Sequence, residues 1–324
     1  MRSFRMFSLL TLAAVILSGC NTSSAGPTTS AGSTTSPSVI PSVSAASIPA
    51  GLVIKIGSDG FYESKLMAEI YAQALEAHGY MVDRAGIGLG TRAVTAAALE
   101  SGQIDLKPEY VGSVLAYYKD TVSGNPDANI ANLSAVLMSK GGGITVLDYS
   151  PAADQNAFVV SAVTEAKYHL SKMSDLTAVA GQLKFGVAAD CATNPVCAAA
   201  LKCAYNLDLS GALPLSACGQ PMVDALAVST ISVGELCSSQ PDIARNGWVV
   251  LTDDKATQPA DNLAPLVRND LLAKLGRVSF EAILNEVSAK MTTARLTRLN
   301  VEFVFDKKDI STIAHEWLSA NSLS

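Results

Sequence analysis

Histidine, aromatic residues and positive charge are all scarce in this chain of 324 residues. There are 3 histidines, 23 basic residues against 29 acidic ones, a net charge of −6, and only 6% aromatics. His78, His169 and His315 are scattered along the sequence, so no histidine-based zinc site is in prospect. Basic clusters are absent as well, which argues against a nucleic-acid partner. No two cysteines have CxxC spacing, and no Gly-x-Ser-x-Gly elbow occurs. Gly86-Ile-Gly-Leu-Gly90 lacks the GxGxxG spacing of a dinucleotide loop. His315-Glu316 falls on an amphipathic terminal segment and reads as surface. No catalytic residue, metal or cofactor is therefore expected. Nor does any run reach the roughly 20 apolar residues that a membrane-spanning helix needs.

What is present begins at the N-terminus. Arg2 and Arg5 precede a mostly apolar run from Met6 to Leu17, which exits through Ser18-Gly19 to Cys20. A basic start, a short apolar stretch and a small-residue exit make residues 1–19 a secretory signal. Cys20, placed directly after Ser-Gly, resembles a lipobox cysteine, whose thiol is diacylated and becomes the mature N-terminus. Residues 20–49 follow as a Ser-, Thr-, Ala-, Gly- and Pro-rich tether without a charged residue. It has too little apolar surface to order itself. The expected location is the outer face of a bacterial cytoplasmic membrane, lipid-anchored and not spanning it.

The roughly 275 residues beyond the tether suffice for two lobes of about 100–150 residues each. Hydrophobic content of 49% with 16% charged residues fits a well-buried globular protein. Leu52–Gly57 alternates as a strand, and a helix from about Glu63 to His78 carries Leu66, Met67, Ile70, Tyr71, Ala74 and Leu75 on one face. Tyr80–Val82 starts a second strand. The Gly86–Gly90 run leads into a helix capped by Thr91, and Ile104–Leu106 forms a third strand. This is a βαβαβ lobe with a parallel sheet. A glycine-rich bend, strands at Ile144–Leu147 and Phe158–Val163, and the polar break Asp154-Gln-Asn156 mark a crossing into a second lobe. There the expected pattern is strand Lys184–Val187, helices near Val196–Ala204 and Met222–Leu226, and strands Ile231–Val233 and Trp248–Leu251. A return strand, Leu263–Val267, and amphipathic helices complete the chain.

The segment Gln103-Ile-Asp-Leu-Lys-Pro-Glu-Tyr-Val-Gly112 ends its apolar strand at Leu106, where Pro108 stops further ladder pairing. Tyr110 lies just past that strand end, where open α/β sheets hold ligands. Either it packs a helix start onto the sheet, or its ring grips a small organic molecule or a cation.

Six motifs occur in order: GSDGFYES at 57–64, GLGT at 88–91, IDLKPEYVG at 104–112, LKFG at 183–186, VVLTDDK at 249–255 and APLVR at 264–268. From about residue 52 to the C-terminus the chain resembles the substrate-binding proteins of osmoprotectant ABC transporters, the glycine betaine, choline and carnitine type. The resemblance implies a type II periplasmic-binding-protein fold, with two α/β lobes, two crossovers and a ligand cleft between them. Lobe I would comprise 50–152 and 258–324, and lobe II 153–257. It also implies a monomer that hands a small solute to a permease.

That family builds a cage for quaternary ammonium groups mainly from tyrosines, because such a cation offers no hydrogen-bond donor. Carried over position by position, the resemblance keeps Tyr110. It places Asn156 and Phe158 at a second cage stretch, Ser238 and Ser239 at a third, and Asp261 at a fourth. On the anion side it points to Phe61, Tyr62 and Ser64, and to Thr91 at a helix N-terminus. Two cage rings are missing, so a flatter or more polar solute on the same fold is the alternative. Within the resemblance, Cys191 and Cys197 flank one loop, while Cys218 and Cys237 both fall toward the cleft end of the second lobe. Two disulfides are expected from these pairs, leaving Cys203 free and buried on its helix.

Overall fold

The computed structural model describes residues 49–194 and 196–324. The signal segment, Cys20 and almost all of the tether lie outside the described residues. Two five-stranded sheets organise the rest. The strands are β1 (Val53–Asp59), β2 (Met81–Gly90), β3 (Leu106–Tyr110), β4 (Ile144–Val146), β5 (Asn156–Val160), β6 (Phe185–Ala188), β7 (Leu213–Leu215), β8 (Val233–Cys237), β9 (Val249–Val250) and β10 (Leu263–Arg268). The first sheet runs β2-β1-β3-β10-β4 and the second β7-β6-β8-β5-β9. The two orders have one plan. In each, a central strand is flanked by two parallel neighbours, and a strand returning from the other lobe pairs antiparallel beside the third.

Both faces of each sheet are covered, which explains why the strands read as near-continuous apolar runs. Leu263 and Val267 of β10 join one core with Ile54, Ile56 and the helix Tyr62–Ala77. Ala264 and Leu266, pointing the opposite way, join another with Val114 and Leu133. In β5, Phe158 and Val160 face one core and Ala157 and Val159 the other. Along the helix Tyr62–Ala77, Leu66, Met67, Ile70, Tyr71 and Leu75 are fully buried. Each contributes about 1.5–3 kcal/mol of burial free energy.

Three local expectations fail for identifiable reasons. The glycine run expected to lead from the second strand into the next helix is itself strand, since β2 runs from Met81 to Gly90. A Cβ on Gly86 would come 2.6 Å from Ile104 and 2.8 Å from the Ile56 carbonyl, so glycine there permits close strand approach and does not break the strand. Pro108 lies inside β3, opposite Pro265 of β10. The Pro265 carbonyl accepts from Leu147 N at 3.0 Å, so this residue turns its backbone away from β3. The two prolines therefore form a non-hydrogen-bonded pair, in which neither missing N–H is called on between these strands. Strand β8 begins at Val233, where the sequence reading had it end.

Two short crossover segments join the lobes side by side. Ala153 and Asn262 form an antiparallel bridge, and Asp154 N donates to Asp261 O at 3.1 Å. Ser238 Oγ donates to Ala153 O at 2.7 Å and accepts from Gln155 N at 3.1 Å.

Candidate functional site

At the crossovers the ends of β3 and β8 meet the start of the helix Val111–Tyr117 across a cavity of about 270 Å³. Gly112, Ser113, Asp154, Asn156, Cys237 and Asp261 all contribute to its lining. Gly112 is required by close approach, since a Cβ there would lie 2.6 Å from Ala260 O and 3.0 Å from Asp261 Oδ1. Asp261 is held by Ser113, whose N and Oγ donate at 2.8 and 2.6 Å. Burial pushes the Asp261 carboxyl up to about 6, against the pull of those two bonds.

Tyr110 ends β3 two residues before Gly112; it is 5% exposed, packed with the first-lobe core, and stands behind the residues that line the cavity. Its hydroxyl donates to Glu63, and its ring stacks with Phe61 at 6.2 Å between centroids. Glu63 is 3% exposed and takes a second bond from the Asn300 amide. The same amide donates to Ser239 O at 2.9 Å, and Ser239 Oγ donates to Asp154 at 2.7 Å. One chain of contacts thus links Tyr110, Glu63, Asn300, Ser239 and Asp154 across the lobe junction. Burial, then the Asp154 charge, raises Glu63 to about 7, while bonds from Tyr110, Asn300 and Ser239 oppose the rise. Burial also raises Asp154.

Behind Tyr110 lies a second polar group. Lys107, 1% exposed, donates to Asp59 at 2.8 Å, Thr95 at 2.8 Å and Glu109 at 2.9 Å. Glu109 also accepts from Tyr110 N at 2.8 Å and pairs with Arg92 at 3.1 Å. This network fixes the end of β3, and with it the position of the tyrosine.

Of the residues singled out from the sequence, Asn156 and Asp261 line the cavity, Ser239 reaches it through its bond to Asp154, and Tyr110 with the stacked Phe61 lies behind it in the same chain of contacts. Ser238 ties the crossover and faces away from the 270 Å³ cavity. Ser64 is buried and accepts from Asp59 N at 3.1 Å, which stabilises the helix entry. Tyr62 stacks on Phe303 at 5.1 Å, with burial raising its hydroxyl well above the usual range. Thr91 stands exposed at its helix start with no side-chain cap bond. Phe158 is 1% exposed in the second-lobe core, so its ring is not offered to the cleft. Glu63, Asp154, Gly112 and Ser113 were not singled out. The polar break at 154–156 was the one local signal for any of them.

Both expected disulfides are present, Cys191–Cys197 and Cys218–Cys237, with Cα separations of 5.0 and 5.1 Å. Cys203 is free but exposed, contrary to the expected burial. Its helix, Ala198–Tyr205, buries Leu201 and Tyr205, and position 203 falls on the opposite side.

Two lobes of repeated topology, hinged by paired crossovers over a small cleft, define a type II periplasmic binding protein. Residues 53–320 match the family described as the substrate binding domain of ABC-type glycine betaine transport system, OpuAC, and the chain belongs to that family. The glycine betaine-binding protein YehZ of Escherichia coli (strain K12) is 26% identical over 289 residues, covering 85% of this chain and 93% of that one. A glycine-betaine-binding protein of Pseudomonas aeruginosa (strain PAO1) is 24% identical, covering 86% and 91%. Among solved structures, apo YehZ superposes with a TM-score of 0.75 at 24% identity, over 84% of this chain and 99% of that one. A glycine betaine/carnitine/choline ABC transporter structure gives 0.73 at 23% identity, over 83% and 99%. The family is one of extracytoplasmic transport proteins that bind small molecules for permeases. Among the described residues, no helix is long and apolar enough to cross a membrane.

Proposed function

We propose that this chain is the solute-capturing lipoprotein of an ABC importer. It takes up a small solute of the glycine betaine, choline and carnitine class and presents it to the membrane permease. Cys20 is the lipidated residue in this reading, the protein is a monomer, and it catalyses no reaction. Lobe I comprises 50–152 and 258–324, and lobe II 153–257. Tyr110, Phe61, Asn156, Ser239 and Asp261 contact the solute, with Glu63 and Asp154 behind them.

The observation that carries this reading is the stacked Phe61–Tyr110 pair set beside the buried Glu63 and the two half-buried crossover carboxylates, Asp154 and Asp261. Ring faces and negative charge together suit an organic cation. Titration calorimetry with glycine betaine, choline and carnitine tests it. At least one of them binds, and Tyr110→Ala weakens that binding by about 2 kcal/mol, or roughly 30-fold. Tyr110→Phe, which keeps the ring and frees Glu63, has the smaller effect. Absence of heat with all three solutes would rule the assignment out.

A further inference from the structure

The carboxylates on the two sides of Tyr110 are neutralised differently. Asp59 and Glu109 face Lys107 and Arg92, so that group holds two anions and two cations and is self-contained. Glu63, Asp154 and Asp261 have no Lys, Arg or His hydrogen-bonded to them. Their donors are neutral: Tyr110 and Asn300 for Glu63, Ser239 for Asp154, and Ser113 for Asp261. Glu63 and Asn300 are buried behind the cavity lining, whereas Asp154 and Asp261 are part of it. No lysine or arginine lines the cavity. Arg92 is ion-paired with Glu109 and its charge reaches Asp261 without a hydrogen bond, while Lys107 bonds three other oxygens.

Carboxylates drawn part-way out of water without a counter-charge are unfavourable until something supplies one. We propose that the cleft selects a small organic cation that carries a hydroxyl or N–H donor and no carboxylate of its own, choline in preference to glycine betaine, with Asp154 and Asp261 as the specificity-determining residues. Choline places a positive charge and an O–H among acceptors. Betaine brings a carboxylate into the same space, where no free cation receives it. With its carboxyl at about 6, Asp261 is ionised at neutral pH and repels that group. The selectivity rests on the cleft being the solute site proposed above.

Calorimetry on the full chain at pH 7.5, with choline chloride and glycine betaine as probes, tests it. Choline binds about tenfold or more tightly than betaine. Asp261→Asn and Asp154→Asn each lower choline affinity about tenfold and shrink the choline-to-betaine ratio. Two variants on separate crossover segments keep the test decisive if one fails to fold. Betaine binding as tightly as choline, or a ratio unchanged in the folded variants, overturns the selectivity and leaves the solute class standing. Failure of both solutes to bind overturns the selectivity, and absence of carnitine binding as well overturns the class.

Discussion

The two lobes share a sheet plan but are fastened by different chemistry. Among the described residues every ion pair lies in the first lobe, from Arg84–Glu69 near the start to Lys308–Glu316 near the end. Both disulfides lie in the second. The buried acid of the second lobe, Glu235, has only the Ala188 N–H at 2.7 Å, and burial raises its carboxyl. Ionic fastening answers to salt and pH, whereas covalent fastening answers to redox state. One molecule therefore holds two kinds of sensitivity on either side of its hinge.

Breaking the ionic centre of the first lobe gives the largest effect. Lys107→Met strands Asp59 and Glu109 without their shared cation and destabilises the fold by about 3–5 kcal/mol in urea titrations. A loss below about 1 kcal/mol would mean that Arg92 alone balances the network. Next is the second lobe's longer staple. Replacing Cys218 and Cys237 by Ser opens a loop of sequence separation 19 and costs about 3 kcal/mol. Reductant treatment, which also opens Cys191–Cys197, should cost at least as much, and neither loss should grow with salt.

The smallest effect has the opposite sign and sharpens the contrast most. Asp261 rises from 3.8 to about 6 on folding, so the folded protein holds that proton more tightly than the unfolded chain. Its contribution to stability is complete below about pH 4 and is lost as pH rises through 6. Asp261→Asn removes that loss, at the expense of some bonding to Ser113. The unliganded variant should be about 1–2 kcal/mol more stable than the parent at pH 7.5 and no more stable near pH 4. Thermal melts at the two pH values, without solute, check it. An advantage that persisted at pH 4 would assign the effect to something other than charge.

The sequence carried the parallel core of the first lobe, because alternation in β1 and the apolar face of Leu66, Met67, Ile70 and Tyr71 are local signals. It carried the cysteine pairing through placement, since Cys191 and Cys197 flank one loop and Cys218 and Cys237 both fall toward the cleft end of the second lobe. It failed where a rule about one residue met a neighbour distant in sequence. The Gly86–Gly90 run reads as a lead into the next helix until Ile104 is seen packed over Gly86, and Pro108 reads as a strand end until Pro265 is placed opposite. Phe158 and Asn156 project to the same side of β5, but two residues move a side chain about 7 Å along a strand. That distance separates the core from the cleft. The acidic character of the site was hidden because Asp154 and Asp261 meet only through the crossover pairing.

That pairing has a mechanical consequence. Asp154 and Asp261 are joined backbone to backbone where the two crossovers pair, which in the proposed reading is the pivot of lobe closure. A cation seated between them acts at the pivot and not at the lips, so it works with almost no lever arm. Its grip sets the torsion of the joint directly, however far the outer surfaces swing. A solute too small to touch both lobes' outer rims can still set their angle.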